Sequence, residues 1–338
     1  MFEKFKKLEA EGLITLRANK TETLFIANYT PIVQYERLWD DLLIQCRGMI
    51  LDAQGKTIAR PFKKFFNIEE HQPEEIPNES FEVYDKLDGS LGILYFEKGE
   101  AKIATRGSFQ SIQAEKATKL LYSQYKEYLA HFNEQHTYLF EIIYPENRIV
   151  VDYGKEEKLV LLAIIASQTG EELSTDDFDF PDKVKRYDGI KDLSKIRELE
   201  DNKREGFVVK FESGFRIKVK FSEYVRLHRI ITQVSNKTIW EHLKDNKPFD
   251  ELLNRVPDEF YDWVKMTRNK LQSDFDAILA EAKDTYRSDF GTKKDFALWA
   301  KAQKYPHILF SLYNGKDTDK YIWKMIKPTF EKPFREEV

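Results

Sequence analysis

The spacing of apolar and polar residues changes character once along the chain. Up to about Tyr224 the apolar residues come in short runs or alternate with polar ones. The segments "FEVYDK", "LGILYF", "AKIATR", "TYLFEII", "RIVVDY", "KLVLLAIIA", "EGFVVKF" and "FRIKVKF" are rich in Val, Ile, Phe and Tyr and are separated by turn formers such as "EKGE" and "ESG". Such segments predict β-strands. Two helices are expected among them. One lies at the extreme N-terminus and one runs from Ser111 to Phe132, where Ala114, Ala117, Leu120, Leu121 and Tyr125 recur at helical spacing. Beyond Tyr224 the pattern is helical almost throughout, most clearly over "DEFYDWVKMTRNKLQSDFDAILAEAKDTY". There Phe260, Trp263, Val264, Leu271, Phe275, Ile278 and Leu279 fall on one stripe. The pattern predicts an α+β domain on antiparallel sheet over residues 1–234 and an all-helical domain over residues 235–338. No internal repeat, low-complexity tract or long linker interrupts them.

Several charged residues fall where this pattern calls for apolar ones. Lys86 stands between a strand-like run and a small-residue turn in "YDKLDGSLGILYF", with Asp88, Gly89 and Ser90 behind it. Glu141 lies inside "YLFEIIY" and Glu205 opens "EGFVVKF", and a carboxylate buried in a strand needs a partner. Lys218 and Lys220 alternate with Ile217, Val219 and Phe221, so both ammonium groups share one face of a strand. Arg47 and Gly48 begin the strand-like "CRGMILD". Each has an ordinary alternative: a charged hairpin tip for Lys86, a sheet with one wet face for the two lysines.

Composition narrows the class without choosing a function. A hydrophobic fraction of 41% in 338 residues is ample for a packed core, so the chain is globular. Its 54 basic and 58 acidic residues leave a net charge of −4, which gives no sign of a polyanion partner and would hide a local basic channel. The single cysteine, Cys46, excludes an internal disulfide. No apolar run approaches the ~20 residues that span a bilayer, and the first residues lack a secretory signal pattern, so a cytoplasmic protein without membrane contact is expected. His71, His131, His136, His228, His242 and His307 show no metal-ligand spacing, and no P-loop occurs.

Taken in order, Arg47-Gly48, K-L-D-G at 86–89, F-E at 140–141, E-G-F-V-V-K from 205 and K-V-K at 218–220 form a known set. This series resembles the covalent nucleotidyltransferase superfamily of polynucleotide ligases and RNA capping enzymes. More narrowly, "RPFKKFFN", "KLDGSLG", "RGSF", "FEIIYPENRIVVDY", "EGFVVKF" and "KVKFSEYVRLH" resemble the RNA ligase 1 family of T-even phages. The resemblance covers at least residues 25–230 and continues more faintly into "LFSLYNGKDTDK". It implies an ATP-grasp-like nucleotidyltransferase domain followed by a helical domain that selects the RNA.

The resemblance also implies a chemistry: an ATP-dependent RNA ligase in which Lys86 attacks the α-phosphorus of ATP to form a lysyl-AMP. An ordinary amine is protonated at neutral pH, so positive charge or desolvation must favour its neutral form. Lys218, Lys220 and a bound magnesium ion, with manganese as an alternative, would supply that charge while neutralising the triphosphate. By the same resemblance Arg47, Lys64 and Arg106 contact phosphates, with Arg106 standing where the phage pattern carries lysine. Glu141 matches a residue on the ribose hydroxyls, Glu205 one near the lysine nitrogen and the metal, and Tyr224 a tyrosine that closes over the nucleotide. The implied partners are RNA ends bearing a 5′-phosphate and a 3′-hydroxyl, including those of a nicked tRNA. A GTP-using capping guanylyltransferase and a non-catalytic RNA-binding repair protein stay open as alternatives. The helical pattern after Tyr224 argues against the first, which normally carries a β-barrel there. The natural RNA and the oligomeric state are left open.

Overall fold

The computed structural model describes residues 2–201, 204–232, 234–253, 256 and 260–329. It divides into two compact units, residues 1–228 and 229–338.

Unit 1 is built on three sheets. The first, in order β1-β2-β3-β4, comprises β1 (Ile14–Ala18), β2 (Leu24–Tyr29), β3 (Arg47–Asp52) and β4 (Thr57–Ala59). Two further strands, β5 (Phe66–Asn67) and β6 (Phe81–Lys86), precede β7 (Ser90–Glu97), β8 (Glu100–Thr105), β9 (His136–Ile143), β10 (Lys158–Ala166) and β11 (Glu172–Leu173). The chain then forms β12 (Arg186–Tyr187), β13 (Gly206–Phe211) and β14 (Arg216–Lys220). The second sheet has the order β11-β10-β9-β7-β8 and the third β12-β6-β13-β14-β5. All the pairings are antiparallel except β14 with β5. Period-two patterning decides what packs where. Leu24, Ile26 and Ile50 of the first sheet meet Ile93, Leu139 and Ala163 of the second in a common core. The outer face of the first sheet is covered by α1 (Phe2–Ala10), which buries Phe2 and Phe5 against Met49 and Leu51 and is followed in the chain by the short α2 (Pro31–Tyr35). The other face of the second sheet is covered by α3 (Ile112–Gln124), through Ala117, Leu120 and Leu121. In the third sheet Val83, Phe207, Val209, Ile217 and Val219 make a separate core.

The helical region begins with α4 (Ser222–Thr232), which runs through the division, and continues with α5 (Asn236–Lys244), α6 (Phe249–Leu253), α7 (Tyr261–Thr285), α8 (Lys293–Lys301), α9 (Pro306–Tyr313) and α10 (Asp319–Met325). Within unit 2, Trp240 donates its indole N–H to the Trp323 carbonyl at 2.9 Å, and Phe275 packs on the Trp323 ring. The expected stripe on α7 is buried at Phe260, Val264, Leu271 and Phe275 but only partly covered at Trp263, Ile278 and Leu279. Asp258 and Glu259 of the same segment, and residues 330–338 of the predicted domain, lie outside the described residues.

The α+β class with antiparallel sheets and a helical C-terminal region agrees with the pattern, while three local expectations are corrected. "RIVVDY" is not a strand, because the amides of Val150 and Val151 donate to the Asp88 carboxylate, at 2.7 Å each, instead of to a neighbouring strand. The helix expected to reach Phe132 ends at Gln124, and a 3₁₀ segment follows over Lys126–His131. The strands "ITLRA" and "LFIANY" were not foreseen, although "ITLRA" alternates apolar with polar residues, and the pairing of "LFIANY" with β3 shifts register between Ala27 and Asn28.

Candidate active site

Register across the third sheet brings the motifs together. Gly206 is paired with Lys86 on one side and with Lys220 on the other, so the last residue of β6, the first of β13 and the last of β14 form one row. Lys218 lies two positions along β14, opposite Val208 and, on its other side, Asn67. The row closes tightly because its centre has no side chain. Gly206 has φ +148°, and a Cβ there would fall 2.1 Å from the Val219 carbonyl oxygen and 2.8 Å from the Lys220 Cα.

Glu205 precedes this glycine and is only 4% exposed. Its Oε1 lies 2.8 Å from Lys86 Nζ and 3.5 Å from Lys220 Nζ, so one carboxylate oxygen is shared by two ammonium groups. That arrangement pays the desolvation cost of a buried charge with charge-assisted contacts. Lys218 is buried rather than set on a wet sheet face, and its Nζ stands 5.9 Å from the Phe65 ring centroid. The Arg47 guanidinium is 6.0 Å from the same ring. Phe65 therefore neighbours both cations, a role its position in an aromatic run did not reveal.

Glu141 comes from the second sheet. The K-L-D-G turn joins β6 of the third sheet to β7 of the second, and there Leu91 pairs with Glu141. The Gly89 amide donates to Glu141 Oε1 at 2.9 Å, and a Cβ on Gly89 would lie 2.6 Å from the Ile142 carbonyl oxygen. Glu141 keeps some surface, yet protein surrounds it on most sides, and this burial pushes its pKa up to about 7. The positive charge of Lys86 opposes the rise, and the carboxylates of Glu205 and Asp88 add to it.

Asp88, which the pattern did not single out as functional, holds the turn in place. It is 3% exposed. Its Oδ2 accepts from the Val150 and Val151 amides, its Oδ1 accepts from the Tyr224 hydroxyl at 2.8 Å, and its own amide donates to the Tyr153 hydroxyl. Tyr224 is thus buried and engaged with Asp88, while Lys220 Nζ lies 5.5 Å from its ring centroid. Asn147 supports the same turn from behind, accepting from Ser90 Oγ and donating to the Ile142 carbonyl.

Two expected phosphate ligands gather around Tyr29. Lys64 is buried, donates to Gln34 Oε1 at 2.9 Å and stands 5.3 to 6.0 Å from the rings of Phe66, Tyr29 and Trp39. Arg106 lies 5.5 Å from the Tyr29 ring centroid and donates to its hydroxyl at 3.4 Å. A Cβ on Gly48 would lie 2.9 Å from the Arg106 Cα, so the glycine after Arg47 lets the Arg106 turn approach β3. The structure therefore assembles Lys86, Glu205 and Lys220 in direct contact, Glu141 at the adjoining turn, and Arg47 with Lys218 around Phe65. It gives Lys64 and Arg106 a separate aromatic neighbourhood. No signal in the sequence marks Tyr29 or Gln34.

Comparison with known proteins gives the family. A family described as RNA ligase matches residues 45–224, more than half of the chain. A putative RNA ligase of Thermovibrio ammonificans is 28% identical over 288 residues, covering 77% of this chain and 73% of that protein. The RNA ligase of Rhodothermus phage RM378 is 26% identical over 364 aligned positions, covering 82% and 81%. The chain spans only 39% of a putative bifunctional polynucleotide kinase/RNA ligase of Autographa californica nuclear polyhedrosis virus, at 27% identity. Among solved structures, a Naegleria gruberi RNA ligase with AMP and manganese is similar over 49% of this chain and 57% of its own, at 21% identity and a TM-score of 0.42. With the family match running from the start of β3 through Lys86, Glu141, Glu205, Lys218 and Lys220 to Tyr224, the chain belongs to the RNA ligase family.

Proposed function

We propose that this RNA ligase is ATP-dependent and works through a covalent Lys86-AMP. The observation that carries the reading is the Lys86–Gly206–Lys220 row, with the Lys86 amine 2.8 Å from Glu205 and a second ammonium 3.5 Å from the same oxygen. In the first step the neutral Lys86 nitrogen attacks the α-phosphorus of ATP. An N–P bond forms, the bond to the β-phosphate oxygen breaks, and pyrophosphate leaves with the charge. In the second step a 5′-phosphate oxygen of RNA attacks that phosphorus and displaces the amine, giving a 5′–5′ pyrophosphate. In the third a 3′-hydroxyl attacks the 5′-phosphorus and AMP leaves. Each step is a displacement at phosphorus, for which positioning and charge stabilisation suffice.

The residues take their roles from their surroundings. Lys218 and Lys220 neutralise the phosphates, assisted by Arg47 and, after rearrangement of their aromatic partners, by Lys64 and Arg106. Glu141 accepts from the ribose hydroxyls, and its anchorage on the Gly89 amide links sugar recognition to the turn that follows the nucleophile. Tyr224 closes the nucleotide site through its bond to Asp88. Among the described residues no three His, Cys, Asp or Glu side chains form a metal-holding cluster. The donor set that fits a hard divalent cation is the Glu205 carboxylate together with nucleotide oxygens and water, as suits magnesium or manganese. Such an ion would offset the triphosphate charge. The substrates would be RNA ends with 5′-phosphate and 3′-hydroxyl groups, and unit 2 would favour particular ends such as those of a nicked tRNA. Among the described residues no helix is long and apolar enough to cross a membrane.

Incubation with α-labelled ATP or GTP and a divalent cation tests the reading. Label that survives denaturation and alkali but is released by acid, as a phosphoramidate requires, should appear on the protein from ATP and be absent from Lys86→Ala. Label from GTP alone would make it a capping-type enzyme, and no label from either would make it a binding protein.

A further inference from the structure

We infer that Arg204 is a positioning residue for the Lys86 amine, an inference that rests on Lys86 being the nucleophile. Arg204 immediately precedes Glu205, and Asp85 immediately precedes Lys86. The two neighbours make an ion pair of their own, with Arg204 Nη1 at 3.4 Å from Asp85 Oδ1. The contact between Lys86 and Glu205 is thus duplicated one residue earlier in each segment. Side chains alternate along β6, so Asp85 and Lys86 leave opposite faces of the strand. The second pair therefore braces the first from the far side of the sheet.

The guanidinium makes more than this one contact. Nη1 also donates to the Tyr187 hydroxyl at 2.8 Å, Nε to Asp201 Oδ2 at 2.6 Å, and Nη2 to the Leu199 carbonyl at 3.2 Å. Its plane lies 5.0 to 5.5 Å from the ring centroids of Phe207, Phe221 and Tyr187. Tyr187 donates in turn to Asp85 Oδ1 at 3.2 Å. One side chain thereby ties β12, β6 and β13 to the segment that delivers Glu205. Lysine carries the same charge but has no planar fork, so it cannot hold the Asp85, Tyr187, Asp201 and Leu199 oxygens together. The active-site separations depend on where the end of β6 sits relative to the start of β13, and Arg204 fixes that relation. Small misplacement of a reacting group is costly in rate, whereas nucleotide contacts supplied by other strands are unaffected.

The test compares two reactions of the full chain: labelling of Lys86 by α-labelled ATP, and sealing of a pre-adenylated RNA, which bypasses the amine. In Arg204→Lys the rate constant for labelling should fall about tenfold or more with KM for ATP within about twofold, while sealing of pre-adenylated RNA falls less than about threefold. Asp85→Asn removes the brace but leaves Arg204 stacked on its rings, and it should give the same split even if Arg204→Lys folds poorly. Equal losses in both reactions, a change confined to KM, or normal labelling by Asp85→Asn would each overturn the inference. Undiminished labelling of Lys86→Ala would instead remove the nucleophile itself, a failure visible before Arg204 is altered.

Discussion

The two units differ in how far they draw charge inward. Unit 1 carries exposed local pairs such as Lys6 with Glu3 and Arg148 with Asp152, but it also draws charged groups inward to answer one another from positions distant in sequence: Lys86 with Glu205, Lys220 with Glu205, Arg204 with Asp85, and Asp88 with Tyr224. In unit 2 the described pairs lie at the surface and are mostly local, such as Arg287 with Asp289 and Lys244 with Asp245, while Lys304 reaches Glu281 on a neighbouring helix. Surface pairs of this kind are worth ~0–1 kcal/mol and can be lost without consequence. Buried ones survive only where a partner repays desolvation, and removing one partner leaves the other stranded. The buried pairs of unit 1 are therefore the costly ones to break, and the exposed pairs of unit 2 the cheap ones.

The sharpest way to break that contrast is to remove charge from the buried row. On the proposed role of these ammonium groups in neutralising the phosphates, replacing Lys218 and Lys220 by Ala should lower Lys86 labelling by about 10²-fold or more, with the fold retained. Labelling at near the normal rate by a folded double variant would detach both lysines from the chemistry. Next in size is Gly206→Ala. Its φ of +148° and the 2.1 Å approach to the Val219 carbonyl leave no room for a methyl group. A loss of about 2 kcal/mol or more in unfolding free energy is expected, with labelling impaired in the residual folded protein. A melting temperature unchanged by this substitution would mean that β13 and β14 can part at no cost.

Glu141 offers a subtler test, through pH. Its carboxyl is held up to about 7 by burial, above its usual 4.5, so the native state keeps a proton that the unfolded chain releases. Stability from this group is complete below about pH 4.5 and is lost as pH rises toward about 7. Relative to Glu141→Gln, the unmodified protein should lose on the order of 1 to 2 kcal/mol across that window, allowing for the solvent the side chain still meets. ATP use should change the other way, with KM falling as the carboxylate ionises, if the anion accepts from the ribose. Parallel pH curves for the two proteins would show that burial does not set this group's charge.

The same contrast explains what could be anticipated from sequence. The strand "KLVLLAIIA" was legible as a continuous apolar run, buried on both faces, and the helices of unit 2 were legible from apolar stripes that reflect burial on one side. The row itself was partly legible, since charges at Lys86, Glu141, Glu205, Lys218 and Lys220 interrupt that periodicity. Asp88 and Arg204 were not singled out. Asp88 sits in a turn where aspartate is ordinary, and its carboxylate turns out to satisfy Val150, Val151 and Tyr224 from far along the chain. Arg204 lies in a polar stretch before the strand, and only the fold brings Tyr187, Phe207 and Phe221 around it. The alternation of Lys218 and Lys220 placed them on one face but gave no sign that Lys218 is buried, because strand period reports direction and not cover.

The smallest expected effect falls on unit 2, where Lys293, Lys294 and Lys301 stand exposed on α8. None is near in sequence to the motif residues, so replacing all three by Ala should leave Lys86 labelling unchanged. If this helix meets RNA, each neutralised phosphate contributes a counterion-release term that weakens with salt. Sealing of a structured substrate, such as a nicked anticodon stem-loop, should then fall a few-fold at low salt. The dependence of KM on salt should become shallower at the same time, while an unstructured oligonucleotide is sealed as before. A shallower dependence for both substrates would assign the helix to general electrostatic attraction. Unchanged sealing of both would leave α8 as an ordinary solvated surface and extend the contrast between the units to its limit.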